Sequence, residues 1–393
     1  MATRRLFINS LASAGASSIF FCNCCNAQDI QRVTLHPEWD KGGRDAANID
    51  SLSHQHPNAG TKRKPFIFQG KKVKVIDTHA HCFFPEAVAL AGSGNSVNGA
   101  VKGGPEHYIP VSATEVIKRR IENMDAKGVD MEVLSVNTFW YSKDFDLAKE
   151  ICRINNDNLA ELCRAYPTRF AAFGSIATQF PELAVQQLVE LMKNPAFKGV
   201  AIQANVAGIE HSDPRFHSIW AKAEELGAVL FIHPQSVSQL SQRFKGNGWM
   251  SNVIGNPLDT TIALQHLIYE GVFDKFPNLK VLAAHGGGFL GSYGPRMDHS
   301  CFVSPSNCDP SIVLKKKPTE YLNQIYFDSL VFTTEALRHL VAQVGSSQIV
   351  VGTDSPIPWE EFPVDHVLKT PISDVQKAAI LGYNAARLLK IPS

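Results

Sequence analysis

The chain has 393 residues, 44% hydrophobic, 19% charged and 9% aromatic, which supplies a sizeable core and excludes a disordered, collagen-like or coiled-coil protein. Lys plus Arg number 38 against 37 Asp plus Glu, so no positive excess exists to collect binding energy from a nucleic-acid backbone. No run approaches the roughly 20 apolar residues that span a bilayer, and the length suits one large α/β barrel with tails.

Residues Met1 to Ala27 read as an export signal. Arg4-Arg5 precede Leu6-Phe7-Ile8, a mildly apolar stretch runs from Leu11 to Phe21, and small and polar residues follow. The arginine pair resembles the twin-arginine type, so a periplasmic location is expected, with a cytoplasmic one as the alternative. Of the eight cysteines, Cys22, Cys24 and Cys25 lie inside this segment. The other five, Cys82, Cys152, Cys163, Cys301 and Cys308, are scattered and lack a Cys-x-x-Cys, which argues against a disulfide framework or a zinc-thiolate site while leaving Cys301 and Cys308 able to pair. Residues 28–70 lack apolar periodicity and read as a linker or surface wrap, with the barrel domain at 71–393.

From Lys71 onward, short β-branched runs alternate with helical patterns. The predicted strands are Val73 to Asp77, Asp130 to Val136, Phe170 to Ala177, Gly199 to Ala204, Ala228 to His233, Lys280 to His285, Gln324 to Ser329 and Gln348 to Thr353. Between them, Ser112-Ala-Thr-Glu115 reads as a capping box. Asp213-Pro214 starts a helix that stops at Gly227, and Ser373 to Gln376 opens the last one. Eight βα units without a glycine-rich phosphate loop after the first strand predict a (β/α)8 TIM barrel rather than a doubly wound sheet.

Active sites of such barrels lie at the C-terminal ends of the strands. Those ends read Asp77-Thr-His79-Ala-His81, His233-Pro234, His285-Gly286-Gly-Gly288 and Gly352-Thr-Asp354. Residues two apart in a strand share a side, so His79 and His81 can clamp one ion. Imidazoles plus a carboxylate suit one divalent metal, zinc first, with a position left for water. A single histidine at a strand end is more often a hydrogen-bonded structural residue. Here, however, four of the fourteen histidines fall at predicted strand ends, and the others, among them His36, His54, His107, His266 and His339, fall in linkers, loops or helices. Read without further context, Arg120 in Lys118-Arg119-Arg120 belongs to a solvated helix face and Arg296 to a surface ion pair.

The combination Asp-x-His-x-His, mid-chain His-Pro, Ala-His-Gly-Gly-Gly and late Gly-Thr-Asp-x-Pro resembles the amidohydrolase superfamily. More narrowly it resembles the branch of aminocarboxymuconate semialdehyde decarboxylase and related metal-dependent decarboxylases. The similarity runs from about Ile76 to Leu389 and includes Glu122-Asn-Met-Asp125-Ala-Lys-Gly128 and Gly271-Val-Phe-Asp-Lys-Phe-Pro277. The resemblance implies that His79, His81, His233 and Asp354 hold the metal and that His285 handles protons beside it. It also implies that Arg120 and Arg296 bind substrate carboxylates, the latter across a homodimer, and that Trp249 lines the pocket. Departures are Gln235 after His-Pro and Asn252, each where the aminocarboxymuconate enzymes carry a tryptophan. The acidic ligand variant of the resorcylate and carboxyvanillate enzymes is absent, and Gln203 and Asn205 end the fourth strand without a lysine to bridge two metals.

The expected activity is non-oxidative decarboxylation of an aromatic or unsaturated carboxylic acid. A hydrolase or hydratase acting on a lactone, ester or amide is the alternative on the same scaffold. A non-catalytic periplasmic binding protein is a third reading, disfavoured by the intact ligand set. The partner is a small-molecule carboxylate, with no nucleic acid and no membrane span.

Overall fold

The computed structural model describes residues 63–92, 107–359 and 362–392. The expected export signal, 1–27, and residues 28–62 of the expected linker lie outside the described residues. Eight parallel strands follow one another in chain order around a sheet: β1 Ile76–His81, β2 Met131–Ser135, β3 Phe170–Ser175, β4 Phe197–Gln203, β5 Val229–His233, β6 Lys280–Ala283, β7 Ile325–Asp328 and β8 Ile349–Val350. Parallel bridges Asp77 to Val351 and Ala80 to Ser355 bring β8 back against β1 and close the barrel. Around it lie the helices α1 Pro85–Ala91, α2 Thr114–Lys127, α3 Phe145–Ala165, α4 Pro181–Leu191, α5 His217–Leu226, α6 Gly255–Tyr269, α7 Leu290–Met297, α8 Thr334–Val344, α9 Pro363–Lys369, α10 Asp374–Ala378 and α11 Asn384–Leu389. Among the described residues no helix is long and apolar enough to cross a membrane.

The strand alternation sorts side chains into two cores. Ile76, Met131, Val133, Ala171, Phe173, Val229, Phe231, Leu282 and Val350 fill the barrel together with Leu388 and Leu389 of α11. Their neighbours in sequence, such as Ala80, Leu134, Ala172, Val200 and Leu230, face the helices. The helices answer with stripes at three- and four-residue spacing: α3 buries Ala148, Ile151, Cys152, Asn155, Leu159, Leu162 and Cys163. With Cys82, which is also fully buried, three of the scattered cysteines are core residues. Inside the barrel Phe173 and Phe231 stack with ring centroids 5.5 Å apart, each burial contributing about 1.5–3 kcal/mol.

Several expected boundaries move. The first strand begins at Ile76 rather than Val73, because the ladder with β2 starts at the Ile76–Met131 pair, and it runs through His81. The sixth ends at Ala283, and His285 sits in a tight turn with φ 56°. The eighth is only Ile349–Val350. Ser112 does not cap α2: a turn closed by Ala113 N–H donating to the Pro110 carbonyl absorbs it, and Ala113 is the uncapped N-terminal residue. The other signals hold. Asp213 caps Pro214–Phe216 leading into α5, which stops at left-handed Gly227, and Ser373 with Gln376 forms a complete capping box. Cys301 and Cys308 are joined in a disulfide.

Candidate metal centre

Six strand ends build one site at the C-terminal mouth. His79 and His81 are alternate residues of β1, both inward and essentially unexposed, and His233 ends β5. Asp354 follows β8 in a left-handed conformation, φ 57°, held by its own N–H donating to the His79 carbonyl at 2.8 Å. Asp77, the first residue of the Asp-x-His-x-His motif, is a staple rather than a ligand. Its carboxylate accepts from the Thr353 hydroxyl at 2.5 Å and the Thr353 N–H at 3.1 Å, tying β1 to the segment that carries Asp354.

The four groups expected as ligands do converge: one nitrogen from each of His79, His81 and His233 and one oxygen from Asp354 all lie within 4.8 Å of one another. The Nε2 atoms of His79 and His81 are 3.0 Å apart, and Asp354 Oδ1 lies 3.3 and 2.9 Å from them. Both ring nitrogens of His233 and Oδ1 of Asp354 are buried without a hydrogen bond. Buried lone pairs left this way are costly unless a cation takes them, so the donor set fits a divalent metal.

Asp354 and Asp328 make the cluster favourable to positive charge. Burial acts to lower the pKa of His79, but Asp354 and Asp328 outweigh it and hold it at about 10. Burial pulls His81 down to about 4. Burial, followed by the neighbouring imidazoles, pulls His233 well below its ordinary value, favouring the neutral ligand form. Burial would raise Asp354, yet the surrounding histidines hold it well below the usual carboxylate range.

A second layer aims these groups. Nδ1 of His79 lies 2.6 Å from Oδ2 of the fully buried Asp328, the last residue of β7. Nδ1 of His81 lies 3.0 Å from the Ser135 hydroxyl, whose own proton goes to the Ala80 carbonyl at 3.2 Å. In both rings the Nδ1 proton is placed and Nε2 is left to face the cluster. Neither Asp328 nor Ser135 figured among the sequence candidates, although each ends a strand and the strand-end rule could have found it.

His285 flanks the cluster, with Nε2 3.9 Å from Asp354 Oδ2 and a side chain 13% exposed. Its turn is made by the glycine triplet: Gly286, Gly287 and Gly288 have φ of 61°, 73° and 67°. A Cβ on Gly288 would stand 2.1 Å from the Pro257 carbonyl oxygen, so the close approach expected there is one of backbone to α6. Asp328 accepts from the N–H of His285 and of Gly286, both at 2.8 Å, and so fixes the turn as well as His79.

Arg120 is a correction to a solvated helix face. It is 5% exposed, and its Nε donates to Glu132 at 2.7 Å while Nη1 donates to the His81 carbonyl at 2.8 Å. Glu132 stands between Met131 and Val133, which fill the barrel, so it points outward and holds the guanidinium in the helix layer. Arg296 lies exposed on α7. Trp249 lies beside the site, its ring stacked at 5.4 Å and 13° on Trp359, which the sequence reading missed.

The amidohydrolase family model matches residues 76–391. A 2-amino-3-carboxymuconate-6-semialdehyde decarboxylase from Dictyostelium discoideum is 32% identical over 275 residues, 69% of this chain and 75% of that protein. The crystal structure of 5-carboxyvanillate decarboxylase from Sphingomonas paucimobilis matches with a TM-score of 0.72 at 26% identity, covering 82% of this chain and all of that one. That of a dihydroxybenzoic acid decarboxylase from Polaromonas sp. JS666, solved with manganese and an inhibitor, shares the fold at a TM-score of 0.67 and 24% identity, covering 81% of this chain and 97% of that one. With its matched span and its barrel-mouth ligand set, this chain belongs to the amidohydrolase family.

Proposed function

We propose that the protein is a metal-dependent non-oxidative decarboxylase of an aromatic or unsaturated carboxylic acid. The observation that carries this reading is the convergence of His79, His81, His233 and Asp354 beside His285, in a chain similar to the decarboxylases named above. Those four residues would hold the cation, which when bound supplies Lewis acidity toward a substrate oxygen. Three imidazoles and one carboxylate favour zinc, and manganese, carried by the Polaromonas decarboxylase, is the competitor to test.

His285 delivers the proton. The bond between the ring or vinyl carbon and its carboxylate breaks, carbon dioxide leaves, and the carbon takes a proton from the imidazole, which regains it from solvent through its exposed edge. The turn locked by Asp328 holds His285 for that transfer. Trp249 and Trp359 form the aromatic side of the mouth.

Arg296 supplies the substrate carboxylate clamp in a homodimer, reaching from its exposed place on α7 into the partner's mouth. An Arg296 variant mixed with an Asp354 variant should then regain activity in verified mixed dimers; none regained would count against it. The export signal and the Cys301–Cys308 disulfide support a periplasmic location, since such bonds persist in oxidising compartments. Cell fractionation tests this, and recovery only from the cytoplasm would reject it.

The deciding experiment is the mass change when metal-loaded protein meets a panel of aromatic and muconate-like carboxylates, lactones and esters. Loss of carbon dioxide supports the proposal. Gain of water instead would make the protein a hydrolase or hydratase.

A further inference from the structure

The carboxylate of Asp354 has two oxygens with different tasks. Oδ1 faces the imidazole cluster, 2.9 Å from His81 Nε2 and 3.3 Å from His79 Nε2. Oδ2 accepts from the indole N–H of Trp359 at 2.8 Å, on the side where His285 stands 3.9 Å away. The backbone alone does not settle which oxygen goes where, because rotation about the last side-chain torsion of an aspartate exchanges them and that torsion is broad.

Trp359 is itself held. It follows Asp354 by five residues in a loop tightened by Ile357 N–H donating to the Asp354 carbonyl at 3.0 Å and Trp359 N–H donating to the Ile357 carbonyl at 2.9 Å. Its ring is stacked on Trp249 and meets Phe332 edge-on at 6.0 Å. Those two neighbours come from the loops after β5 and β7, and both have left-handed backbones, φ 50° for Trp249 and 66° for Phe332. Non-glycine residues adopt that conformation only where the surrounding structure imposes it. Three loops thus spend local strain to present one indole edge to one carboxylate oxygen.

We propose that Trp359 is a positioning residue for the metal centre. Its N–H captures Asp354 Oδ2, so that Oδ1 is presented to the cation, and its stacking on Trp249 links that ligand to the aromatic wall. The inference rests on the metal-site reading above, in which Asp354 is a ligand. It adds that metal retention depends on a residue that never touches the metal.

The test is zinc loss to a chromogenic chelator from the full-length protein loaded with zinc. W359F keeps a ring and removes the donor; W359Q keeps a donor and removes the ring; W249A removes the stacking partner alone. Loss of partners that orient metal ligands typically weakens affinity about 10–100-fold, so W359F should release zinc at least about tenfold faster than the parent. W359Q should stay within about threefold of the parent in zinc release but bind an aromatic carboxylate more weakly, raising KM more than it lowers kcat. W249A should retain zinc better than W359F while also raising KM.

Folded W359F, matched to the parent by far-ultraviolet circular dichroism, that releases zinc within about twofold of the parent rate would overturn the proposal. Should W359F not fold, W359Q decides: retention near the parent rate supports the proposal, and release about tenfold faster overturns it. A parent that takes up no divalent metal would sink the metal-site reading and this inference with it, whereas a metal-loaded parent indifferent to W359F sinks only the inference.

Discussion

Asp328 Oδ2 lies 2.6 Å from Nδ1 of His79, two wholly buried groups joined across a separation of 249 residues. The same carboxylate accepts backbone N–H groups from His285, Gly286 and Leu330, so one side chain orients His79 and fixes the turn carrying His285. This dual tie makes Asp328 the structural link between the metal centre and His285.

Asp328→Asn should therefore weaken metal binding by about 10–100-fold, measured by chelator competition, because the amide cannot accept with the same charge from His79. Asp328→Ala should also lower unfolding stability by about 3 kcal/mol or more, since three buried N–H groups lose their acceptor. Parent-like metal affinity in Asp328→Asn would show that His79 needs no orienting partner.

His285→Asn separates ligation from proton transfer. His285 Nε2 stands outside the four-atom cluster, so metal content measured by atomic absorption should equal that of the parent. Turnover should fall by about 10²–10⁴-fold, the usual contribution of a general acid. Loss of metal in this variant would instead make His285 a ligand.

Arg120→Met should act on stability. Removing the guanidinium leaves Glu132 charged and buried, a change that costs about 3–5 kcal/mol in comparable pairs, and releases the His81 carbonyl. Denaturant unfolding should show the loss, while KM in whatever folded protein remains should change little. A large KM increase at unchanged stability would place Arg120 in the substrate site.

Asp259 on α6 predicts a pH dependence of stability. Burial is the main influence raising its pKa to about 6, with Glu210 adding to it against the N–H of Gln235 and the Asn205 amide. The folded state thus holds a proton that the unfolded state releases near pH 4, so this contribution is fully present below about pH 4 and is lost as pH rises through about 6. Asp259→Asn should remove that component and stabilise the protein at pH 8 by an order of 1–3 kcal/mol, checked by urea unfolding at pH 5 and pH 8. An unchanged pH slope would mean that Asp259 titrates normally in the folded chain.

Much of the architecture was legible because it is written locally. Strand runs, their two-residue alternation and helix signals such as Asp213-Pro214 and Ser373 to Gln376 involve residues within a few positions of each other. The placement of His79, His81, His233 and Asp354 at strand ends followed from the barrel itself, which gathers all such ends at one mouth. Strand limits were less legible, since β1 runs to His81 and β6 stops at Ala283 for reasons of pairing with neighbours distant in the chain.

What only the tertiary structure decided is which polar side chains meet. Composition and spacing assign Lys118-Arg119-Arg120 to a solvated face, yet Arg120 is buried because β2 turns Glu132 outward toward it. Nothing near Asp328 in the sequence announces His79, and nothing near Trp249 announces Trp359. A hydrogen bond or ring stack depends on a few ångströms between groups far apart in the chain, and only packing sets that distance, whereas residue type and strand period are properties of the sequence itself.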